Sequence, residues 1–275
     1  MGIMEAVILG IVQGLTEFLP VSSSGHLVLL QKIFGIKTPP LVFETLLHAG
    51  TLAAVLAVLR KEIFELLKKP FQPLTGYLII GTIPAVIAAL LFGDYIEHAF
   101  ATGKYLGFCF LITSVLLICA EKLSFRAESN TELKKKEAMN WLDALVIGIM
   151  QAVAIAPGVS RSGATISAAL FRRLDRDFAA RFSFLLSIPA IAGAFVLHVK
   201  DLAGGETASG EIVSNETLGA AVIIAGTVTA AVVGFFAVKL MLKIIREKSL
   251  YGFAVYTAVL GALVLLDQFV TRFVF

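Results

Sequence analysis

Long apolar runs, separated by short polar or charged segments, recur along this chain. Six of them extend over roughly the 17–22 residues that a helix needs to cross a bilayer, and the first of the six contains Glu44 and His48. The predicted spans lie at about 41–59, 74–92, 104–120, 178–199, 218–238 and 251–270. Their apolar positions do not alternate with period two, so helices are predicted rather than the strands of a membrane barrel.

Two further apolar stretches, at 3–30 and 141–171, are broken in the middle by proline, glycine and hydroxyl residues. The first contains GIVQGLTEFLPVSSSGHLVLL and the second contains AIAPGVSRSGATIS. Pro20 lacks an N–H group and disfavours helical geometry in the residue before it, so the first helix is predicted to end there. A second helix can then begin in the serines, with Ser22 or Ser23 as its N-cap.

The second broken stretch repeats the first at a distance of 138 residues and keeps its glycines and serines. The identical pairs are Gly10 and Gly148, Ile11 and Ile149, Gln13 and Gln151, Val21 and Val159, Ser22 and Ser160, Ser24 and Ser162, and Gly25 and Gly163. Later matches are looser and include Gly81 with Gly226. We therefore divide the chain into repeat 1 at 1–122, a cytoplasmic linker at 123–140 and repeat 2 at 141–275. Each repeat is predicted to be a broken helix pair followed by three spans.

Basic residues are distributed unevenly between the loops. The positive-inside tendency places in the cytoplasm the segments that hold 17 of the 23 Lys and Arg residues, namely 60–75, 121–140, 171–181 and 239–250. With three spans in each half, this holds only if each broken pair is re-entrant, the first from the outer side and the second from the inner side. The two repeats are thus predicted to be inverted relative to each other, with their polar breaks meeting near mid-membrane.

Composition supports a membrane protein. With 58% hydrophobic and only 16% charged residues, the chain cannot cover a soluble globule with polar groups. An all-α polytopic membrane protein is therefore predicted. The net charge of +3 gives no indication of nucleic-acid binding, so no nucleic-acid partner is expected. Cys109 and Cys119 lie in one apolar run, where a continuous helix would hold them too far apart for a disulfide.

The first break concentrates polar groups at a depth where they are costly and usually functional. Gln13 and Glu17 are four residues apart and share a helix face. The free amides and the positive dipole end at the N-terminus of the following helix form a binding site for phosphate. Gly25 lets a ligand approach the backbone there. His26 follows in the first turn of that helix. The hydroxyls beside this site belong to Ser22, Ser23 and Ser24.

The second break carries a single charge, Arg161, which needs an anionic partner at that depth. Two interpretations are open: Arg161 forms a structural ion pair with Glu17, or it lines a bowl for an anion together with both helix N-termini. With Glu17 as a carboxylate, His26 as a base and hydroxyl nucleophiles opposite, the bowl suits phosphoryl transfer. The residues of the second break expected to contact the phosphate are Ser160, Ser162, Gly163 and Thr165.

A rival hypothesis belongs to a different class of protein. Inverted repeats with broken helices are also typical of secondary transporters, so the chain could instead move or flip an anionic lipid. A base such as His26 beside a run of hydroxyls favours chemistry, because transport needs a seat for the anion but no base.

Two segments, QGLTEFLPVSSSGH and PGVSRSGAT, closely resemble the two signature motifs of the bacterial undecaprenyl-diphosphate phosphatase family of the bacitracin-resistance type. The similarity in length and span pattern extends over essentially the whole chain. The resemblance implies hydrolysis of undecaprenyl diphosphate to undecaprenyl phosphate and inorganic phosphate, which recycles the lipid carrier for cell-wall synthesis. The residues that it implies for catalysis are Ser23, His26, Glu17 and Arg161, with Gln13 at the variable Glu/Gln place of the first motif.

The resemblance also implies a divalent cation, Mg²⁺ or Ca²⁺, with Glu17 as a ligand. Gln13 is the amide variant and removes one anionic ligand. The implied substrate is a polyprenyl diphosphate lipid in the bilayer, and a homodimer is compatible with the family. The implied location is the bacterial plasma membrane, with several spans and an active site open to the outer side. The nucleophile stays open between Ser23, His26 and a water that His26 activates.

Other polar positions receive lesser roles. Glu44 and His48 share a helix face and either support the site or form an ordinary hydrogen-bonded pair. Gln151 mirrors Gln13 at the second break. The basic residues that follow this break are interpreted as topology signals that contact lipid headgroups, and they are Arg172, Arg173 and Arg176.

Overall fold

A computed structural model describes residues 1–36, 41–130, 133–204 and 219–275. Two predicted elements fall partly outside these residues, namely the linker at 131–132 and the span at 218–238 at its first residue. The described chain is built from eleven α-helices, which confirms the all-α prediction. They are α1 Ile3–Phe18, α2 Ser23–Ile33, α3 Leu41–Val58, α4 Arg60–Lys68, α5 Pro73–Thr102, α6 Leu106–Asn130, α7 Trp141–Val153, α8 Arg161–Phe171, α9 Arg176–Gly204, α10 Ala220–Glu247 and α11 Tyr251–Leu266.

Five of the described helices are long and apolar enough to cross a membrane, namely α5, α6, α9, α10 and α11. A sixth span results if α3 and α4, which bend by 77° at their junction, are counted together. These helices overlap the six predicted spans and confirm an integral membrane protein that crosses the bilayer several times.

Several helices continue beyond the apolar runs that predict them. Helix α10 ends at Glu247 rather than near 238. Helix α5 has non-helical backbone angles at Phe92 (φ −122°, ψ 15°), where the predicted span ends, and its helical backbone then resumes as far as Thr102. Helix α6 ends at Asn130, so the first part of the predicted linker at 123–140 is helical instead. The physical reason is that an apolar run marks the part of a helix that lies in lipid. The backbone hydrogen bonds continue into water until a cap or a turn ends them.

Each broken stretch is a pair of short helices that meet at the predicted break. Helix α1 ends at Phe18, and α2 begins at Ser23 with Ser22 as its N-cap. Helix α7 ends at Val153, and α8 begins at Arg161 with Ser160 as its N-cap. The capping serines therefore start both second helices, as the sequence predicts for the first. That each pair enters and leaves the membrane on the same side stays a prediction.

The two halves pack crosswise through close glycine contacts. Helix α1 lies along α10, where a Cβ on Gly10 would come within 2.5 Å of the carbonyl oxygen of Gly226. Helix α7 lies along α5, where a Cβ on Gly148 would come within 2.6 Å of the carbonyl oxygen of Gly81. The same pair of aligned glycines thus recurs with the halves exchanged. The division into repeats and their inverted orientation stay predictions.

Two of the basic residues after the second break, Arg172 and Arg176, form ion pairs within the protein. Their contact with lipid headgroups, and that of Arg173, stays a prediction. Arg172 Nε lies 2.7 Å from Oδ1 of the fully buried Asp143, and Lys134 Nζ lies 3.1 Å from the same oxygen. Arg176 pairs with Glu121, with Nη1 3.1 Å from Oε1. Carboxylates buried beside the predicted cytoplasmic ends require these cations, since a buried charge must be paired.

Candidate active site

A cavity of about 840 Å³ opens where the two breaks meet α5 and α9. Its walls along α5 and α9 are almost entirely apolar. Its polar end is formed by side chains from both broken pairs, α3 and α5. These side chains belong to Thr16, Glu17, Ser22, Ser23, Ser24, His48, Thr82, Gln151, Ser160 and Arg161. The cavity thus combines a polar head site with an apolar channel.

Glu17 lies at the centre of the polar end and is 7% exposed. Its Oε1 accepts a hydrogen bond of 2.6 Å from Arg161 Nη2. Its Oε2 accepts hydrogen bonds from Ser23 Oγ at 2.5 Å and from Gln13 Nε2 at 3.1 Å. One carboxylate therefore ties the end of α1 to the beginnings of α2 and α8.

Ser23 is the first residue of α2, and its hydroxyl donates to Glu17 while its side chain lines the cavity. A serine hydroxyl that donates to a carboxylate has its base already in place, which is how hydroxyl nucleophiles are activated. Of the three nucleophiles that the sequence leaves open, this arrangement favours Ser23.

Arg161 is the first residue of α8, so the break in the second pair brings it beside Glu17. Its side chain is 17% exposed and lines the cavity. Nη1 is buried and has no hydrogen-bond partner among the described residues. A guanidinium has five N–H donors, and the ion pair with Glu17 leaves some of them for an anion. Both interpretations of Arg161 are therefore compatible: it pairs with Glu17 and it lines the cavity.

The N-terminal caps of α2 and α8 are equivalent. Ser22 Oγ accepts from the Gly25 amide at 3.2 Å, and Ser160 Oγ accepts from the Gly163 amide at 3.0 Å. Neither glycine lines the cavity. A Cβ on Gly25 would lie 2.7 Å from Phe110 Cζ, so the role that the structure shows for this glycine is close packing.

Two predicted phosphate contacts in α8 do not lie on the cavity wall. Ser162 Oγ donates to the Leu19 carbonyl oxygen at 3.0 Å and joins α8 to the first break. Thr165 Oγ1 donates to the Arg161 carbonyl oxygen at 2.8 Å and lies 2.6 Å from Ser183 Oγ on α9. These hydroxyls connect helices around the site and do not face the cavity.

His26 also lies outside the cavity lining. Its Nδ1 lies 2.6 Å from the Ser22 carbonyl oxygen, and its Nε2 lies 2.7 Å from the Tyr256 hydroxyl on α11. The structure therefore brings Arg161 and Ser23 to Glu17 but places the predicted base against α11.

His48 reaches the polar end instead, on α3. Its Nε2 lies 4.0 Å from Glu17 Oε2, and its Nδ1 lies 2.8 Å from the Glu44 carbonyl oxygen. The Glu44 side chain accepts from Gln31 Nε2 at 2.7 Å. The spacing of Glu44 and His48 indicates a shared helix face, but no pattern in the sequence relates His48 to Glu17.

A divalent cation held by protein ligands alone does not fit this site. Glu17 is the single acidic residue among the described residues that line the cavity, and both its oxygens already accept hydrogen bonds. No group of three or more His, Cys, Asp or Glu side chains within the described ranges could hold a metal ion. The cation with Glu17 as a ligand stays a prediction.

Comparison with known proteins gives a consistent result. The profile of the family described as "Bacitracin resistance protein BacA" matches residues 6–263. The chain is 45% identical to the "Undecaprenyl-diphosphatase" of Carboxydothermus hydrogenoformans over 99% of this chain and 100% of the relative. It is 45% identical to "Undecaprenyl-diphosphatase 3" of Bacillus cereus ATCC 14579 over 98% of this chain and 99% of the relative. It is 42% identical to the "Undecaprenyl-diphosphatase" of Halothermothrix orenii over 97% of this chain and 98% of the relative. The chain therefore belongs to the bacitracin resistance protein BacA family.

Proposed function

We propose that this protein is an undecaprenyl-diphosphate phosphatase, which hydrolyses undecaprenyl diphosphate to undecaprenyl phosphate and inorganic phosphate. The full-length similarity to relatives named undecaprenyl-diphosphatase supports this activity. The observation that carries the proposal is the hydrogen bond of 2.5 Å from Ser23 Oγ to Glu17, whose other oxygen is paired with Arg161. A nucleophile, a base and an anion-binding cation meet at one end of the cavity.

The shape of the cavity fits both parts of such a substrate. Its volume is within the roughly 300–1,000 Å³ that is usual for ligand sites. The diphosphate lies at the polar end, and the prenyl chain lies along the apolar walls and continues into lipid. The walls are formed by Ala85, Val86, Ala89, Leu90 and Phe100 on α5, and by 189–194, Val196 and Leu197 on α9.

In the first step Ser23 Oγ attacks the terminal phosphorus and transfers its proton to Glu17 Oε2. The bond from that phosphorus to the bridging oxygen breaks, and its electron pair leaves with undecaprenyl phosphate, to which Glu17 passes the proton. While Glu17 is protonated, its ion pair with Arg161 is weakened. The guanidinium is then available to stabilise the negative charge that develops on the phosphoryl oxygens.

In the second step a water molecule attacks the phosphoserine. Glu17 accepts a proton from this water and returns it to Ser23 Oγ as the bond from serine to phosphorus breaks. Inorganic phosphate leaves, and both side chains return to their starting protonation states. The same carboxylate thus serves as base and as acid in both steps.

The proposal is tested by phosphate release from undecaprenyl diphosphate in detergent. We expect Ser23→Ala and Glu17→Gln each to lower kcat by about 10²–10⁴-fold, since each removes the nucleophile or its base. Ser114→Ala is the matched control, because this buried serine donates to the Ala254 carbonyl oxygen away from the cavity. Wild-type protein that binds the lipid and releases no phosphate would instead support a carrier of anionic lipid.

We further propose that the protein lies in the bacterial plasma membrane and that the cavity opens to the outer side. The support comes from the charge distribution, since the four most basic segments are expected in the cytoplasm. A site open to the outer side would receive the diphosphate there and return the monophosphate to the same leaflet.

A further inference from the structure

Ser22, the residue before the proposed nucleophile, has an unusual backbone conformation. Its φ is +73° with ψ 98°, a region that residues with a side chain rarely adopt. Such conformations cost about 1–3 kcal/mol and persist only where the surroundings hold them. Any rotation about the Ser22 backbone would move Ser23 and change the direction of its hydroxyl towards Glu17.

His26 supplies a contact that holds this conformation. The Ser22 carbonyl oxygen accepts from the His26 amide at 3.2 Å and lies 2.6 Å from His26 Nδ1. A carbonyl oxygen can only accept, so Nδ1 carries the proton and donates to it. In a neutral imidazole Nε2 then accepts, and the Tyr256 hydroxyl, 2.7 Å away, is its donor.

The rings around His26 fix its orientation. Phe110 packs edge-on against it at 5.4 Å between centroids, and Tyr256 is stacked at 5.7 Å with an angle of 5° between the planes. Both nitrogens are engaged and the ring lies outside the cavity lining. The imidazole has no free nitrogen with which to accept a proton from Ser23 or from a water at the phosphate.

We propose that His26 is a positioning residue, which Tyr256 orients and which holds Ser22 so that the Ser23 hydroxyl points at Glu17. This inference rests on the proposed function and deepens it, because it assigns the imidazole to the geometry of the nucleophile. Tyr256, 230 positions further along the chain, becomes a second positioning residue for the reaction.

The role predicts a specific pattern of rescue. His26→Ala lowers kcat for phosphate release by about 10–100-fold, the range expected for losing one buried hydrogen bond, and changes KM less than about twofold. His26→Asn keeps an N–H donor near the place of Nδ1 and cannot act as a base at neutral pH, so it restores most of kcat. If His26→Asn is as inactive as His26→Ala while both remain folded, the imidazole is a base and the proposal is wrong.

A double-mutant comparison separates the two roles independently. Glycine adopts a positive φ without steric cost, so Ser22→Gly removes the strain that the imidazole holds. His26→Ala is therefore expected to lower kcat only a few-fold in the Ser22→Gly background. If His26 instead acted as a base, His26→Ala would lower kcat by the same factor in the wild-type and the Ser22→Gly backgrounds.

The effect of Tyr256 is measured against a tyrosine on the same helix. Tyr256→Phe keeps the stacked ring and removes the hydroxyl, and we expect a fall in kcat of about 2–10-fold. Tyr251→Phe is the control and is expected to leave kcat unchanged, because Tyr251 is 41% exposed at the start of α11. Equal effects of the two variants would contradict the role of Tyr256.

The tautomer of His26 tests the inference without any activity. Nitrogen NMR of histidine-labelled protein in detergent, with His26→Asn to assign the signal, is expected to show a neutral imidazole protonated at Nδ1. If the wild-type protein shows this tautomer but releases no phosphate, the proposed function is wrong, whereas the positioning contact between His26 and Ser22 is still present. A proton on Nε2 alone, or on both nitrogens at neutral pH, would overturn the positioning role whatever the activity.

Discussion

Glu17 is a single carboxylate shared by donors from different parts of the chain. It is largely buried, and Arg161 is the cation that neutralises it at 2.6 Å. Breaking a buried pair by removing one partner leaves an uncompensated charge, whereas removing both partners leaves none. We therefore expect the stability of the site, as well as the proposed chemistry, to depend on this pair.

The pair leads to a prediction about stability. Arg161→Met is expected to lower the free energy of unfolding by about 3–5 kcal/mol, and adding Glu17→Gln to it is expected to recover a large part of that loss. The measurement is denaturation in detergent, followed by circular dichroism. Arg246→Met is the control, because Arg246 is 53% exposed and pairs with Asp177 at 3.5 Å, so its loss is expected to cost less than about 1 kcal/mol. A double variant less stable than Arg161→Met would contradict the account.

Single residues also show how far the sequence predicts the site. Arg161 and Glu17 are isolated, opposite charges in apolar segments, where each needs a charged partner. Their contact can therefore be predicted from the sequence. The orientation of His26 does not follow, because its partner Tyr256 lies 230 positions away in the chain. Thr165 belongs to the predicted motif, but successive residues of a helix point in different directions and its hydroxyl faces α9.

At the scale of helices, the crossings at glycine hold the breaks together. A Cβ on Gly10 would lie 2.5 Å from a backbone oxygen of α10, and one on Gly148 would lie 2.6 Å from a backbone oxygen of α5. Small residues let membrane helices approach closely, and here they fix the positions of α1 and α7. The polar breaks at the ends of these helices meet as a result.

Enlarging either glycine is expected to separate the helices. Gly10→Ala and Gly148→Ala are each expected to lower the free energy of unfolding by about 1–3 kcal/mol, because a methyl group would collide with backbone that cannot move aside. Gly76→Ala on α5 is the control, since a Cβ there meets nothing within 4 Å. In a helix this control is expected to be neutral or slightly stabilising. The crossing account fails if all three variants unfold at the same denaturant concentration.

Helix ends show why the sequence predicts some elements better than others. The beginnings of α2 and α8 carry capping serines, whose hydroxyls have an identifiable local task. The ends of α6 and α10 lie beyond the apolar run, where hydropathy no longer indicates where a helix stops. Local chemistry therefore locates the breaks, and the lengths of the long helices require the structure.

The whole molecule combines two kinds of surface in one cavity. The polar end contains residues from both broken pairs, and the apolar walls come from one helix of each half. Neither half contains a complete site, since Glu17 and Ser23 come from the first break and Arg161 from the second. A lipid diphosphate fits this arrangement because it is polar at one end and apolar along the rest.

The orientation of the whole molecule in the membrane can be tested by labelling single cysteines. In a Cys119→Ser background, a membrane-impermeant maleimide is expected to label Thr102→Cys in intact cells, since Thr102 is exposed at the end of α5. Lys135→Cys, exposed in the predicted cytoplasmic segment, is the paired position and is expected to react only after the cells are opened. Labelling of Lys135→Cys in intact cells would reverse the proposed sidedness.

The central claim is that Ser23, with Glu17 as its base, is the nucleophile of a phosphatase. Its most direct test is rapid quenching of turnover with undecaprenyl diphosphate labelled in the terminal phosphate, followed by mapping of the label on the protein. The account predicts phosphoserine at Ser23, and no labelled protein from Ser23→Ala. Turnover without labelled protein, together with transfer of the water oxygen to phosphate in one direct displacement, would contradict it.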